Sequence, residues 1–236
     1  MKKRGQVTIF IIIAIVIIAL VVLFFTFKDK LGIFTPESNP VYLFTKGCVE
    51  ETGKDAILYV TSNGGYVSPP ELSTTEGIPY YFYNNRSYTP TKEMVEQRIS
   101  SYIEQTLSYC TDGFSNFTGL NITEGEIKTR TTINEGEIVL NVKYPINIEK
   151  EGSVTRFENF NNIKIKSRVK LMYDSIKEIE ENSKEGICLS CISSLADENG
   201  FTIGMTNTEE GIVFTLRDEH SKIKDSPVEW KFANKY

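Results

Sequence analysis

The chain has 236 residues, of which 40% are hydrophobic and 11% aromatic, proportions that exclude a largely disordered protein. Its length suits one sizeable domain with a short additional segment, and hardly two full domains. Residues 1–27 hold Lys2, Lys3 and Arg4 and no acid, so the other 209 residues carry 23 basic and 31 acidic side chains, a net charge of −8. An acidic domain without a basic cluster argues against nucleic-acid binding, because it cannot displace the counterions of a phosphate backbone.

An uncharged stretch of 21 residues runs from Val7 to Phe27 and reads VTIFIIIAIVIIALVVLFFTF. At a rise of about 1.5 Å per residue, a helix of this length would match the thickness of a bilayer's hydrocarbon core. Because the stretch is apolar on every side, we expect residues 6–27 to form a transmembrane helix rather than a buried core helix. The basic residues before it predict a single-pass protein of the cell membrane, with a cytoplasmic N-terminus and an extracellular C-terminal domain. The lipid bilayer is therefore an expected partner.

The start of the chain, KKRGQVTIF, resembles the class III (prepilin-type) signal of archaeal type IV pilins and archaellins. In that family a short basic leader ends in Lys/Arg-Gly, and a membrane aspartyl peptidase cuts after the glycine. The resemblance implies a leader over residues 1–5, cleavage between Gly5 and Gln6 by a prepilin-type peptidase, and a helix that packs with its copies in a filament core. Phe10 stands where many of these proteins have glutamate. An uncleaved signal anchor, whose basic residues only set topology, is the alternative.

The rest of the chain is predicted to be a linker over residues 28–40 and one α+β domain over residues 41–236. Helical spacing of apolar residues predicts helices over about 41–62, from Thr89-Pro90 to Cys110, and over 169–182. Alternation of apolar and polar residues predicts antiparallel strands through 140–148 and 163–169, and further strands near 201–206, 211–217 and 228–233. The expected fold is therefore helices packed on an antiparallel β-sheet.

The domain also resembles, more vaguely, uncharacterised one-span surface proteins of small-genome archaea. This resemblance is carried by the Cys48 helix ending in Gly64-Gly65-Tyr66, the later helix to Cys110, and the closing Phe232-Ala233. This resemblance supports the predicted α+β architecture but does not indicate a function.

Four cysteines, an even number, favour disulfides in an oxidising compartment, and they are Cys48, Cys110, Cys188 and Cys191. Of the three possible connectivities we prefer Cys48–Cys110, which would join the apolar faces of two predicted helices, and Cys188–Cys191, which would close the CLSC turn. CLSC alternatively suggests a redox motif or half of a zinc site. The first needs a βαβ context and the second two more ligands, whereas the single histidine, His220, lies in a predicted solvated turn with Asp218 and Glu219. We therefore expect neither a metal nor a cofactor.

Three Asn-x-Ser/Thr sequons fall in predicted turns and indicate possible glycosylation at Asn85, Asn116 and Asn121. The aromatic run Tyr80–Tyr83 is interpreted as an edge strand that buries alternate rings, in preference to an exposed carbohydrate platform. No Ser/His/Asp set, phosphate-binding glycine loop or HExxH motif is present, which argues against an enzyme.

Two functions fit these features best. The first is a structural, pilin-like subunit that assembles through its N-terminal helix into a homo-oligomer or surface filament. The second is a surface receptor or adhesin that does not polymerise. N-terminal peptide mapping of the mature protein separates them, since a start at Gln6 favours the first.

Overall fold

The structure, a computed structural model, describes residues 12–22, 38–184 and 186–236. The chain divides into two compact units, Met1–Leu43 and Phe44–Tyr236. In the first unit, residues 12–22 form an α-helix, α1. The predicted leader, the cleavage point between Gly5 and Gln6, and residues 28–37 of the predicted linker lie outside the described residues.

Helix α1 corrects the expected fold. Its described part has 11 residues, which corresponds to about 16 Å, roughly half the thickness of a bilayer's hydrocarbon core. Across residues 12–22, 38–184 and 186–236, no helix combines the length and the apolar composition that crossing a membrane requires. The prediction of a transmembrane helix over residues 6–27 is therefore wrong, although its ends, residues 6–11 and 23–27, lie outside the described part of the chain.

The longer helices agree with the periodicity of the sequence. They are α2 (Pro40–Ser62), α3 (Lys92–Thr111), α4 (Val169–Asn182) and α5 (Leu189–Asn199), and α3 continues into a short 3-10 turn at Asp112–Phe114. Helix α3 starts later than Thr89-Pro90 because Thr91 caps it, accepting a hydrogen bond of 3.2 Å from the Met94 backbone N–H. Helix α5 was not predicted.

Glycines end α2 as the sequence indicates. Gly64 and Gly65 have φ angles of +61° and +75°, which an L side chain rarely adopts. The Gly65 N–H returns to the Val60 carbonyl at 2.7 Å. A Cβ on Gly64 would also lie 2.5 Å from the Lys231 carbonyl oxygen, so no larger residue fits at this helix end.

The strands confirm the α+β class but form two sheets rather than one. They are β1 (Tyr80–Tyr83), β2 (Arg86–Ser87), β3 (Asn121–Glu124), β4 (Lys128–Asn134), β5 (Glu137–Lys150), β6 (Ser153–Lys166), β7 (Thr202–Thr208), β8 (Gly211–Ile223) and β9 (Ser226–Lys235). One sheet has the order β2-β1-β9-β8-β7. In the other, β5 pairs with β6, β4 and β3. All pairs are antiparallel except β1 with β9, which is parallel.

Aromatic side chains fill the core of the five-stranded sheet. The Phe214 and Phe232 rings stack with centroids 5.0 Å apart, and Tyr81 stacks on Phe232 at 4.7 Å. The buried Trp230 donates its indole N–H to the Tyr81 hydroxyl at 2.8 Å. That hydroxyl donates in turn to the Gly64 carbonyl at 2.8 Å, so every polar atom of this aromatic group is satisfied at the end of α2.

Helix α3 covers the free edge of β4 with side chains four residues apart. Alternate backbone N–H groups of β4 donate to these side chains at 2.6–3.0 Å, as Thr129 to Glu104, Thr131 to Ser100 and Ile133 to Glu96. Two residues of a strand rise about 6.6 Å and four residues of a helix about 6.0 Å, so the two repeats match over this length.

Candidate functional site

The first candidate site, the cysteines of α2 and α3, forms a disulfide. Cys48 and Cys110 are bonded with a Cα–Cα distance of 5.6 Å and are 62 residues apart in sequence. Cys48 is buried, whereas Cys110 reaches the surface at the end of α3. The bond therefore joins α2 to the C-terminal end of α3, which is the pairing preferred from the sequence.

The CLSC cysteines form a second disulfide, but they lie at a helix start and not in a simple turn. Cys188 precedes α5 as its N-cap, and its Sγ accepts the Cys191 backbone N–H at 3.3 Å. The two cysteines are only three residues apart in sequence. Buried Ile192 and Leu195 attach α5 to the domain, so this disulfide fixes the first turn of a short helix.

The three sequon asparagines all lie at the surface. Asn85 occupies the turn between β1 and β2 with φ +59°, Asn116 lies between α3 and β3, and Asn121 begins β3. The Asn121 amide donates to Glu149 at 3.2 Å, so it would have to leave that partner to carry a glycan. Glycan attachment stays a prediction at all three positions.

The aromatic run does not form an exposed platform. Tyr80, Tyr81 and Phe82 are all at least 94% buried. Strand β1 lies between β2 and β9, so it is neither at the edge of its sheet nor restricted to burying alternate rings. The parallel pairing with β9 places this strand inside the sheet, which local alternation did not indicate.

The segment predicted as a solvated turn contains a buried ion pair. Strand β8 continues through Asp218 and His220, with a register shift against β9 between Asp218 and Lys222. Asp218 is fully buried, and its Oδ1 accepts from the Arg168 guanidinium at 3.1 Å and from the His220 backbone N–H at 3.0 Å. The Arg168 backbone N–H donates to Ser221 Oγ at 3.1 Å. The prediction of a solvated turn is therefore wrong in its conformation and for Asp218, although Glu219 and His220 are exposed.

This cluster has no catalytic arrangement. The His220 backbone, and not its ring, bonds Asp218, while Ser221 Oγ lies 3.5 Å from the Ser167 hydroxyl. The described ranges also contain no group of three or more His, Cys, Asp or Glu side chains that could hold a metal ion. What the cluster does chemically is to fix the start of α4 against β8.

A second buried polar group joins the end of α4 to β9. Glu180 is 5% exposed, and its Oε1 accepts from the Asn234 amide at 2.8 Å. Glu180 Oε2 and Asn234 Oδ1 are buried and have no hydrogen-bond partner among the described residues. A proton on Oε2 would provide the donor that both oxygens lack, completing a reciprocal acid–amide pair.

The environment of Glu180 favours this neutral form. Burial raises the pKa of the carboxyl from 4.5 to about 7, against smaller lowering effects of the Asn234 hydrogen bond and the Lys177 charge. The Tyr236 hydroxyl also accepts from the Asn234 amide, at 3.2 Å. Glu180 lies in the last turn of α4, where the helix dipole disfavours a negative charge.

We expect the domain to lose stability as the pH rises through 7. The folded state holds the Glu180 proton more tightly than the unfolded chain, so this stabilisation is complete below about pH 4.5 and is lost as the pH rises through the folded pKa of about 7. The free energy of unfolding should therefore fall by roughly 3 kcal/mol between the acidic and the alkaline end of this range. Urea unfolding of wild type and Glu180→Gln at pH 5 and 8.5 measures it. The glutamine keeps both hydrogen bonds without titrating, so equal pH slopes in the two proteins would contradict the assignment.

The described part of the N-terminal unit carries one distinctive surface. All residues of α1 are exposed, and the large apolar side chains among residues 12–21 are 47–61% accessible. A helix that is apolar on every side normally has neighbours on every side.

Comparison with models of protein families, with curated proteins and with solved structures gave no match.

Proposed function

We propose that the chain is a structural cell-surface protein, a pilin-like subunit whose α+β domain is displayed outside the cell and whose α1 helix associates with α1 of other copies. The observation that carries the proposal is the uniformly apolar, exposed surface of residues 12–21. Burying such side chains is favourable by about 25 cal/mol per Å². Identical helices from several copies would cover all sides of α1 at once, as in a filament core.

The covalent bonds of the domain support the proposed location. Both disulfides, Cys48–Cys110 and Cys188–Cys191, would persist outside the cell and be reduced in most cytoplasms. The domain is proposed to be noncatalytic, because its buried polar groups join helices to strands and do not converge on a reacting atom. Cleavage between Gly5 and Gln6 by a prepilin-type peptidase belongs to the same proposal and depends on the sequence of the leader.

Two measurements test the proposal. N-terminal peptide mapping of the protein isolated from its own cells should find a chain that begins at Gln6, whereas an intact Met1 or Lys2 would argue against the pilin class. Sedimentation of the full-length chain should give an oligomer. The double variant Ile15→Asp/Ile18→Asp places two charges on α1, where these side chains are 60% and 61% exposed, and should reduce the mass to that of a single chain.

A matched control separates α1 from exposed apolar residues in general. Val154 in β6 is 68% exposed, so Val154→Asp adds a charge at an equally accessible apolar position of the domain. It should leave the oligomer unchanged. If Val154→Asp dissociates the oligomer and the α1 double variant does not, the association surface lies on the domain.

A second candidate function is a surface receptor or adhesin that does not polymerise. It is favoured by a solvent-open cleft of about 560 Å³ in the domain, between α2, α3 and the β8–β9 hairpin. A single-chain mass for the full-length wild type would favour this function over the first.

A further inference from the structure

The cleft between α2, α3 and the β8–β9 hairpin, called here the hairpin cleft, is formed by parts that are fixed to one another. Its volume of about 560 Å³ falls within the 300–1,000 Å³ that small-ligand sites commonly have. The hairpin turns at Lys224 and Asp225, whose φ angles of +52° and +61° give a two-residue turn between paired Ile223 and Ser226. Lys224 Nζ lies 2.7 Å from Asp55 on α2, so an ion pair links the hairpin to the helix, and a disulfide joins α2 to α3.

Two tyrosines provide the aromatic part of the hairpin cleft. Tyr59 on α2 and Tyr102 on α3 line it, with ring centroids 5.0 Å apart and planes inclined by 34°. Tyr59 is 43% exposed, so a large part of its ring faces solvent. Burial raises the pKa of the Tyr102 phenol, which keeps its hydroxyl protonated and able to donate. An exposed ring next to a fixed one offers a flat apolar surface with a polar rim.

The three charged side chains that line the hairpin cleft, Asp55, Arg217 and Glu229, are all engaged in ion pairs. Asp55 is paired with Lys224 at 2.7 Å, and Glu229 with the Arg217 guanidinium at 3.5 Å. Arg217 also pairs with Glu219 at 2.7 Å, so none of the three is an unpaired charge that would attract an ionic ligand. Each carboxylate and guanidinium nevertheless has hydrogen-bonding capacity left over, because a carboxylate accepts up to four hydrogen bonds and a guanidinium donates five.

The geometry points to the sugar ring of a glycan as the ligand: we infer that the hairpin cleft binds a neutral carbohydrate chain stacked on Tyr59. One face of a pyranose ring presents C–H groups, which pack on an aromatic ring, while its rim presents hydroxyls that donate and accept. Asp55, Glu229 and Arg217 supply planar acceptors and donors around such a ring. The cleft is open to solvent, which suits a polymer that enters and leaves it. This inference is independent of whether the chain assembles.

Other ligand classes fit the hairpin cleft less well. An anion or a cation would have to compete with the existing ion pairs of Asp55 and Arg217. A purely apolar ligand would bury these charged groups without replacing their contacts with water, which is costly. A neutral polyol replaces those contacts with its own hydroxyls.

The test uses the full-length chain and tetrasaccharides of glucose, mannose and N-acetylglucosamine. Saturation-transfer NMR should show contact between at least one of them and the protein, and calorimetric titration should give its Kd. Tyr59→Ala should weaken that binding at least tenfold, whereas Tyr59→Phe, which keeps the ring, should change it by less than threefold. Circular dichroism confirms that both variants fold.

Tyr109→Ala is the matched control, because Tyr109 is 80% exposed on α3 and does not line the hairpin cleft. It should bind as wild type does. Absence of transfer from all three tetrasaccharides would overturn the inference, and so would equal losses in Tyr59→Ala and Tyr109→Ala. Binding of the tripeptide Gly-Leu-Gly with no binding of any tetrasaccharide would assign the cleft to a peptide and overturn it as well.

Discussion

Replacing Asp218 by alanine should destabilise the domain by about 3–5 kcal/mol, the usual cost of removing one member of a buried ion pair. The Asp218 side chain has no exposed surface, and its loss leaves the Arg168 guanidinium, itself only 26% exposed, without its carboxylate partner. The His220 backbone N–H loses its acceptor at the same time. The start of α4 then has fewer bonds to β8.

Urea unfolding followed by circular dichroism measures this effect, with the neighbouring acid as a control. Glu219 lies one residue further along β8 and pairs with Arg217 at 2.7 Å, but its side chain is 49% exposed. Glu219→Ala should cost less than about 1 kcal/mol, as exposed ion pairs generally do. Asp218→Asn keeps the shape and one acceptor oxygen, so it should fall between the two. Equal stabilities of Asp218→Ala and Glu219→Ala would show that the buried pair contributes nothing.

Removal of the Cys48–Cys110 disulfide should cost about 4 kcal/mol in the double variant Cys48→Ala/Cys110→Ala. The cysteines are 62 residues apart, and a loop of that length restricts the unfolded chain by about this amount in the chain-entropy model. For a domain of this size the loss corresponds to a melting temperature lower by roughly 8–16 °C.

The second disulfide provides the comparison within the same chain. Cys188 and Cys191 are three residues apart, so Cys188→Ala/Cys191→Ala should cost only about 2 kcal/mol in the same model. Thermal unfolding of both double variants measures the difference. A larger loss for the Cys188/Cys191 variant would contradict the loop-length argument and indicate that the first turn of α5 depends on its disulfide.

Regular amphipathic patterns made parts of this fold predictable. Helix α4 has the predicted bounds, and of the residues expected to face inward Ile176 and Ile179 are fully buried, whereas Tyr173 is half-buried. The alternation from Leu140 to Ile148 likewise placed the inward face of β5 correctly. Helix α5 escaped prediction because it buries only Ile192 and Leu195, too few to establish a period.

Features that depend on distant residues could not be predicted from local patterns. The sequence around Asp218 looks like a charged turn, and only Arg168, 50 residues away, makes its burial favourable. The parallel partner of β1 is a C-terminal strand, which the alternation of either segment does not indicate. Tyr59 follows the apolar spacing of α2, yet it lies at the rim of that face, where a period cannot distinguish core from cleft.

For the α1 segment, hydropathy could not distinguish between two environments that both exclude water. Hydropathy alone predicted a membrane span, because 21 residues from Val7 to Phe27 carry no charge. The same composition also suits a helix surrounded by its copies, since both environments exclude water. Among the described residues no helix is long and apolar enough to cross a membrane, and the exposed apolar side chains of residues 12–21 are the surface that the proposed association of copies would bury.

The side chains of α3 on β4 restrict how copies of this domain can adhere to one another. An uncovered strand edge recruits further strands through its free amides, which is how many β-rich proteins aggregate or exchange segments. In β4 the amides of Thr129, Thr131 and Ile133 are already bonded to α3. The four-stranded sheet therefore cannot add a strand at β4. Any contact between copies would therefore have to use other surfaces of the domain.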